Sequence, residues 1–342
     1  MSIIRIAAII YNTNERNMGH SITVDATRGF VYVLLQTPTN NIAAIDKIRI
    51  SDFTRINQVT YSGGAPSIGG RGVNIDVNGG FAFFTNSAGR IIRANIQASS
   101  FGISNQADTS NGEIAIDITN NFYYSPHDSL QLMAKGNLAT LAAISNLSLT
   151  KANPAAVVID LVNNFIYCGH NNIAGDITKI NLPAFTINNI LASGAGTIHA
   201  SAIDPMNGFA YFVGSNKLIK LNLSTNVITT LTSLNFGVNA GSIVINPLAN
   251  ALYVGNGNAV PGVISEVDLT SFSITSAITL NSGENFVTGM AYDTPTGIIY
   301  AALNTNPGIV VKLQGLPEPP RSPRFGINNR ISPYVFNQNY YN

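Results

Sequence analysis

Residues 157–170 read VVIDLVNNFIYCGH. Asp160, the lone cysteine Cys168 and His170 fall within fourteen positions, a set of side chains that invites a catalytic interpretation. The stretch has six relatives along the chain: SITVDATRGFVYVLL, VNIDVNGGFAFFTN, IAIDITNNFYYSPH, SAIDPMNGFAYFVG, IVINPLANALYVGN and GMAYDTPTGIIYAAL. Their anchor residues are Asp25, Asp76, Asp117, Asp160, Asp204, Asn246 and Asp293, spaced by 51, 41, 43, 44, 42 and 47 residues.

A period of about 40–50 residues is that of a four-stranded propeller blade. In the fourth copy AAVVID reads as a strand, LVNN as a turn, FIYC as a second strand, GDITKINL as a third and FTINNILAS as a fourth. Ile, Val, Phe, Tyr and Thr fill the strands, and Gly, Asn and Pro mark the joints. No apolar stripe recurs at helical spacing. The expected fold is all-β: a seven-bladed β-propeller of four-stranded antiparallel blades over residues 1–315. Each anchor opens the turn after the innermost strand, where its side chain accepts a backbone N–H two residues on. Gly29, Gly79, Gly208 and Gly297 supply positive φ within those turns. A catalytic Asp would not recur in six of seven copies. Cys168 aligns with Val33, Phe84, Tyr124, Phe212, Val254 and Ala301, a buried apolar position that suits a small thiol. The opening stretch is scaffold.

The seventh copy offers three strands, FVTGMAYD, GIIYAALN and GIVVKLQ, before GLPEPPRSP ends regular pairing. The missing strand is SIIRIAAI, residues 2–9, which is expected to complete blade seven and close the ring without a covalent link. Residues 316–342 form a separate segment with four prolines between 317 and 323, favouring an extended conformation. It carries Arg321, Arg324, Phe325, Arg330, Tyr334, Phe336, Tyr340 and Tyr341, residue types that anchor interfaces. The tail is open to three fates: folding back on its own propeller, docking on a neighbouring subunit or another protein, or disorder.

Hydrophobic residues make up 45% of the 342 positions and charged residues only 10%, against about 25% in an ordinary soluble domain. Asparagine, 43 residues, fills much of the gap. With a net charge of +1 the chain has little pull toward nucleic acid or anionic lipid. MSIIRIAAIIYNTNERN turns polar too early for a membrane span, and Arg5 breaks its apolar run, so no signal peptide is recognised. A nearly uncharged surface stays soluble more easily when neighbours cover it.

The apolar–Asp–x–x–Gly–aromatic–x–Tyr pattern, as in IDPMNGFAYF at 203–212, followed by strands such as IAAID and ITKIN, resembles the NHL and YVTN-type propeller repeats over residues 2–315. The resemblance implies architecture; function belongs to sites. Strand order places His20, His199, His127 and His170 on the face opposite the aspartate turns, with Glu113 and Arg71 near the channel mouth. Loosely, this face is similar to that of propeller lyases and lactonases, which use His or carboxylates with a divalent metal. The catalytic candidates are therefore Glu113, His127, His170 and His199, and the metal-ligand candidates His127 and His170. The chain has only five Glu, few of them at channel positions. No cofactor motif is present: no phosphate-binding loop, CxxC pair or G-x-S-x-G elbow.

Three functions follow as expectations. The first is a non-enzymatic structural or interaction propeller in a larger extracellular assembly, such as a virion or surface appendage, docking through its tail and loop faces. The second is a metal-dependent lyase or lactonase. The third is a secreted glycan- or protein-binding module.

Overall fold

The computed structural model describes residues 3–12, 15, 21–37, 42–62, 70–97, 100–108, 112–215, 217–232, 240–246 and 249–315. The alternating segments pair as their pattern demands: 28 strands form seven antiparallel sheets of four, and no helix occurs among the described residues. Blade four is representative, with strands Pro154–Asp160, Phe165–His170, Asp176–Asn181 and Thr186–Ala192 running from the axis to the rim. The expected seven-bladed propeller is the observed fold. His20 and the whole tail, with its Arg and aromatic residues, lie outside the described residues.

Successive side chains of a strand point to opposite faces, so each blade feeds two cores. Tyr167 packs toward blade five, while Ile166 and Cys168 pack toward blade three. The result is seven apolar clusters, one between each pair of neighbours. Cys168 is fully buried, and burial followed by the nearby Glu113 charge pushes its thiol far above the usual range, which leaves it inert. Register corrects one alignment. Val157 faces Cys168, whereas Ala115, one position further along its strand than Val157's equivalent, faces Tyr124, so Ser125 is the equivalent of Cys168.

The anchor turns are as regular as the spacing suggests, with two corrections. The N–H bound is mainly three residues on: Arg28, Gly79, Asn120, Asn163, Asn207 and Ala249 donate to Asp25, Asp76, Asp117, Asp160, Asp204 and Asn246 at 2.8–3.1 Å. Among the described residues only Asp160 also takes the N–H two residues on, from Val162 at 3.1 Å. Positive φ falls four residues after every anchor, at Gly29, Gly80, Asn121, Asn164, Gly208, Asn250 and Gly297. Gly79 is thus not the left-handed residue of its turn. It is a close-approach glycine, because a Cβ there would sit 2.2 Å from an Asp76 carboxylate oxygen.

Above each anchor the third strand places a side chain opposite the central aromatic of the second. The pairs are Tyr32–Lys47, Phe83–Arg93, Tyr124–Lys135, Tyr167–Lys179, Tyr211–Lys220, Tyr253–Glu266 and Tyr300–Lys312. Five of the cations lie over the preceding Phe: Lys47, Lys135, Lys179 and Lys220 stand 3.9–4.2 Å from the ring centres of Phe30, Phe122, Phe165 and Phe209, and Arg93 stands 4.7 Å from that of Phe81. Burial lowers the proton affinity of Lys47 and Lys179, and the anchors Asp25 and Asp160 counter it. Blade six departs twice: its anchor is the neutral Asn246, and its third-strand residue is Glu266.

Ring closure is as expected. The N-terminal strand Ile4–Ile10 pairs antiparallel with Ile309–Gln314 and supplies the rim strand of blade seven. Polar clamps hold its two ends. Arg5 reaches Glu284 at 2.5 Å. Beyond the strand, Tyr11 is buried beneath the Arg55 guanidinium, 4.3 Å from its ring centre, and Arg55 binds Glu15 at 2.8 Å and Asp46 at 2.5 Å.

Candidate functional site

The innermost strands of the seven blades converge on an axial channel. Strands this close to one axis have room only for small side chains where the channel narrows, and four residues before each anchor stand Ser21, Gly72, Glu113, Ala156, Ala200, Ser242 and Gly289. Glu113 is the one large member. Gly72 on the neighbouring blade makes its insertion possible, since a Cβ there would meet the Glu113 Cα at 2.6 Å.

The Glu113 side chain leaves blade three and crosses to blades four and five. Its carboxylate accepts the Val157 N–H at 2.9 Å, the Ser201 N–H at 3.3 Å and the Ser201 hydroxyl at 2.5 Å. It borders an axial cavity of about 100 Å³ walled by the polar Thr23, Asn74 and Ser201 and by apolar residues such as Ile22, Ile243 and Met290. Burial raises its pKa to about 7, opposed by the Ser201 and Val157 hydrogen bonds. The group can therefore hold or release a proton near neutrality, and it staples three blades.

One residue nearer the mouth, five of the innermost strands carry a bulge, centred on Arg71, Ala155, His199, Gly241 and Thr288. A bulge turns its extra residue out of the ladder and re-aims the side chain. Arg71, Gly112, Ala155 and His199 form one side of a second cavity of about 270 Å³, completed by Asp128, Asn153, Asn171 and Pro154. The expectation that Arg71, Glu113 and the histidines share the mouth side of the wheel holds for the described residues.

The histidines do different things there. His170 is fully buried; one ring nitrogen lies 3.1 Å from the Ala152 carbonyl and the other 2.8 Å from the Thr178 hydroxyl. Burial lowers its pKa, with the Ala152 carbonyl opposing. A metal could bind it only by displacing one of those partners. His127 closes the second strand of blade three, with Nδ1 3.3 Å from the Ser129 hydroxyl; burial also lowers its pKa, and Asp128 raises it. His199 lines the mouth, with Nε2 3.0 Å from Thr197 Oγ1 and Nδ1 3.5 Å from the Asn171 amide nitrogen. Among the described residues no three His, Cys, Asp or Glu side chains gather as metal ligands.

Asp128, Asn153 and Asn171 were not singled out by sequence. They sit on loops of blades three and four that carry no repeat signal. Asn153, with φ of 54°, is a left-handed Asn of the kind that marks a built turn. No protein family matches the chain, and no curated protein matches it either.

Proposed function

We propose that this propeller is a non-enzymatic structural and interaction component of a larger extracellular assembly, a virion or surface appendage, built on repeats of the NHL/YVTN type. The rim carries this reading. An outermost strand exposes a row of unpaired N–H and C=O groups, and free-standing proteins blunt such edges with charge, above all Lys. Here the rim strands of blades three to six, Ala143–Ser148, Thr186–Ala192, Ile228–Thr232 and Ser273–Thr279, contain no charged residue. In blade seven and blade one the rim cations Arg5 and Arg55 are spent on ion pairs. Aliphatic side chains stand out between the amides and hydroxyls, with Ile144 at 52% exposure and Ile4 at 59%. Among the described residues, a bulge near one end of most rim strands serves as a blunting device.

The C-terminal segment, with Arg321, Arg324, Phe325, Arg330, Tyr334, Phe336, Tyr340 and Tyr341, supplies a second point of attachment to neighbouring subunits. The test is native mass by light scattering for the full chain, a version lacking residues 316–342, and an Ile144→Lys, Ile274→Lys variant. The full chain should exceed the 36.2 kDa of one copy, and both variants should shift toward it. A full chain that stays monomeric at every concentration, alone and in its native extract, overturns the proposal.

A further inference from the structure

The axial cavity beside Glu113 has the make-up of a small-molecule site, and we propose that it binds a short primary alkylammonium ion. The proposal is independent of the assembly role and fails or survives separately from it.

The carboxylate sets the sign of the guest. Its three partners, the Val157 N–H, the Ser201 N–H and the Ser201 hydroxyl, all donate to it. Such a set fits the ionised form, because a protonated carboxyl adds an O–H that backbone N–H groups cannot accept. Yet no Lys, Arg or His pairs with Glu113 among the described residues, and it is the one charged side chain among those lining the cavity. Burial accordingly raises its pKa to about 7, with no cation to oppose it. The hydrogen bonds are arranged for a charge that the described residues do not balance. A monocation in the cavity supplies the missing sign, since an enclosed anion is costly until it is paired.

The opposite wall supplies a second contact. In a ring of seven, blade one faces the boundary between blades four and five, where the Glu113 carboxylate lies. Thr23 of blade one, 2% exposed, lines the same cavity, and its hydroxyl has no hydrogen-bond partner among the described residues. Its neighbours Ile22 and Val24 point into the core shared with blade seven, so Thr23 points away from it. A buried hydroxyl without a partner is destabilising. A guest with more than one N–H can satisfy Thr23 and Glu113 together, and a primary ammonium has three.

Size and lining define the rest of the guest. An apolar cavity of about 150 Å³ takes the six heavy atoms of benzene, so one of about 100 Å³ takes roughly four. That is one nitrogen and about three carbons. Ile22, Ile243 and Met290 give the carbons an apolar wall that a bare metal ion would leave unused. Glu113 and Ser201 both keep part of their surface accessible. The consecutive residues Gly112 and Glu113 border the mouth cavity and the axial cavity, so the guest enters along the axis from the mouth.

The test titrates the full chain with n-propylammonium chloride at pH 8 and at pH 6, read by ligand-observed NMR, with propan-1-ol as the uncharged probe of the same size. Propylammonium should bind at pH 8 with Kd under about 1 mM. It should bind about tenfold more weakly at pH 6, because Glu113 must first give up its proton. Propan-1-ol should bind at least about tenfold more weakly than propylammonium at pH 8. Glu113→Gln should cost propylammonium at least about tenfold at pH 8 and remove the pH response. Thr23→Val, which keeps the shape of the side chain, should cost about fivefold and keep the pH response. Cooperative thermal unfolding certifies the fold of both variants. The proposal is overturned if propylammonium does not bind at pH 8, if it binds equally at both pH values, if propan-1-ol matches it, or if either variant binds it as the unaltered protein does.

Discussion

The turn face and the mouth face are the two ends of the same seven innermost strands, yet they are built on opposite plans. At the turn face every blade repeats one solution: an Asp or Asn anchor, a Gly or Asn at positive φ four residues later, and a third-strand partner against a buried aromatic ring. At the mouth the equivalent positions diverge: Arg71, Gly112, Ala155, His199, Gly241 and Thr288 share a place and no chemistry. Uniformity marks what the fold requires of each blade, and divergence marks where a blade is free to be used. Glu113 belongs to the second class, standing among Ser, Gly and Ala equivalents.

The largest effect should come from breaking the turn-face plan at its seam. Without residues 1–10 blade seven loses its rim strand and the Arg5–Glu284 pair, and a melting temperature lower by more than about 10 °C is expected in calorimetry. Next is Asp160→Ala. It orphans the Val162 and Asn163 N–H groups and the Asn163 amide, and urea unfolding should show a loss of about 3 kcal/mol.

Glu113 gives a pH-dependent contrast. Its folded pKa of about 7 lies above the ordinary value of 4.5, so the folded state holds the proton more tightly than the unfolded chain. Its contribution to stability is therefore full below about pH 4.5 and is lost as pH rises through 7, by up to roughly 3 kcal/mol. Unfolding measured at pH 5, 6.5 and 8 should show this slope in the unaltered protein and its disappearance in Glu113→Gln.

Blade six sharpens the comparison further. Its anchor is neutral, and the third-strand position that is cationic elsewhere is Glu266, so the two changes balance each other. Asn246→Asp alone sets a buried carboxylate near Glu266 and breaks the amide's bond to the Tyr292 hydroxyl, a cost of about 1–2 kcal/mol. Adding Glu266→Lys should recover part of it in a double-mutant cycle. The smallest effect is at the mouth: Thr288→Ala should leave stability within about 0.5 kcal/mol.

The turn face was readable from sequence because its rules are local. An anchor and a Gly or Asn four residues away lie within one turn, and the period exposes them. The choice of anchor N–H was off by one residue, and the other two errors arose where a residue type is doubled. Gly79 precedes Gly80 and Tyr123 precedes Tyr124, and composition cannot say which of each pair holds the register. The mouth was half readable. Glu113 and the histidines stood out as rare types at countable offsets from an anchor. Asn153 and Asn171 did not, because a chain with 43 asparagines hides two, and their neighbours at the mouth are assembled by ring closure from blades up to 128 residues apart in sequence (199 − 71). The hydrogen-bonding state of His170 and the reach of Glu113 to Ser201 are tertiary facts with no local signature.

The seam also sets an order of events during synthesis. Ile4–Ile10 is made before the seven blades, but its partner Ile309–Gln314 is made roughly 300 residues later. At about 5–20 residues per second that is a wait of roughly 15–60 s. For this interval a short apolar strand is without its mate, so a nascent chain is exposed to capture by chaperones, or by the unfinished blade of another copy, until the last strand arrives.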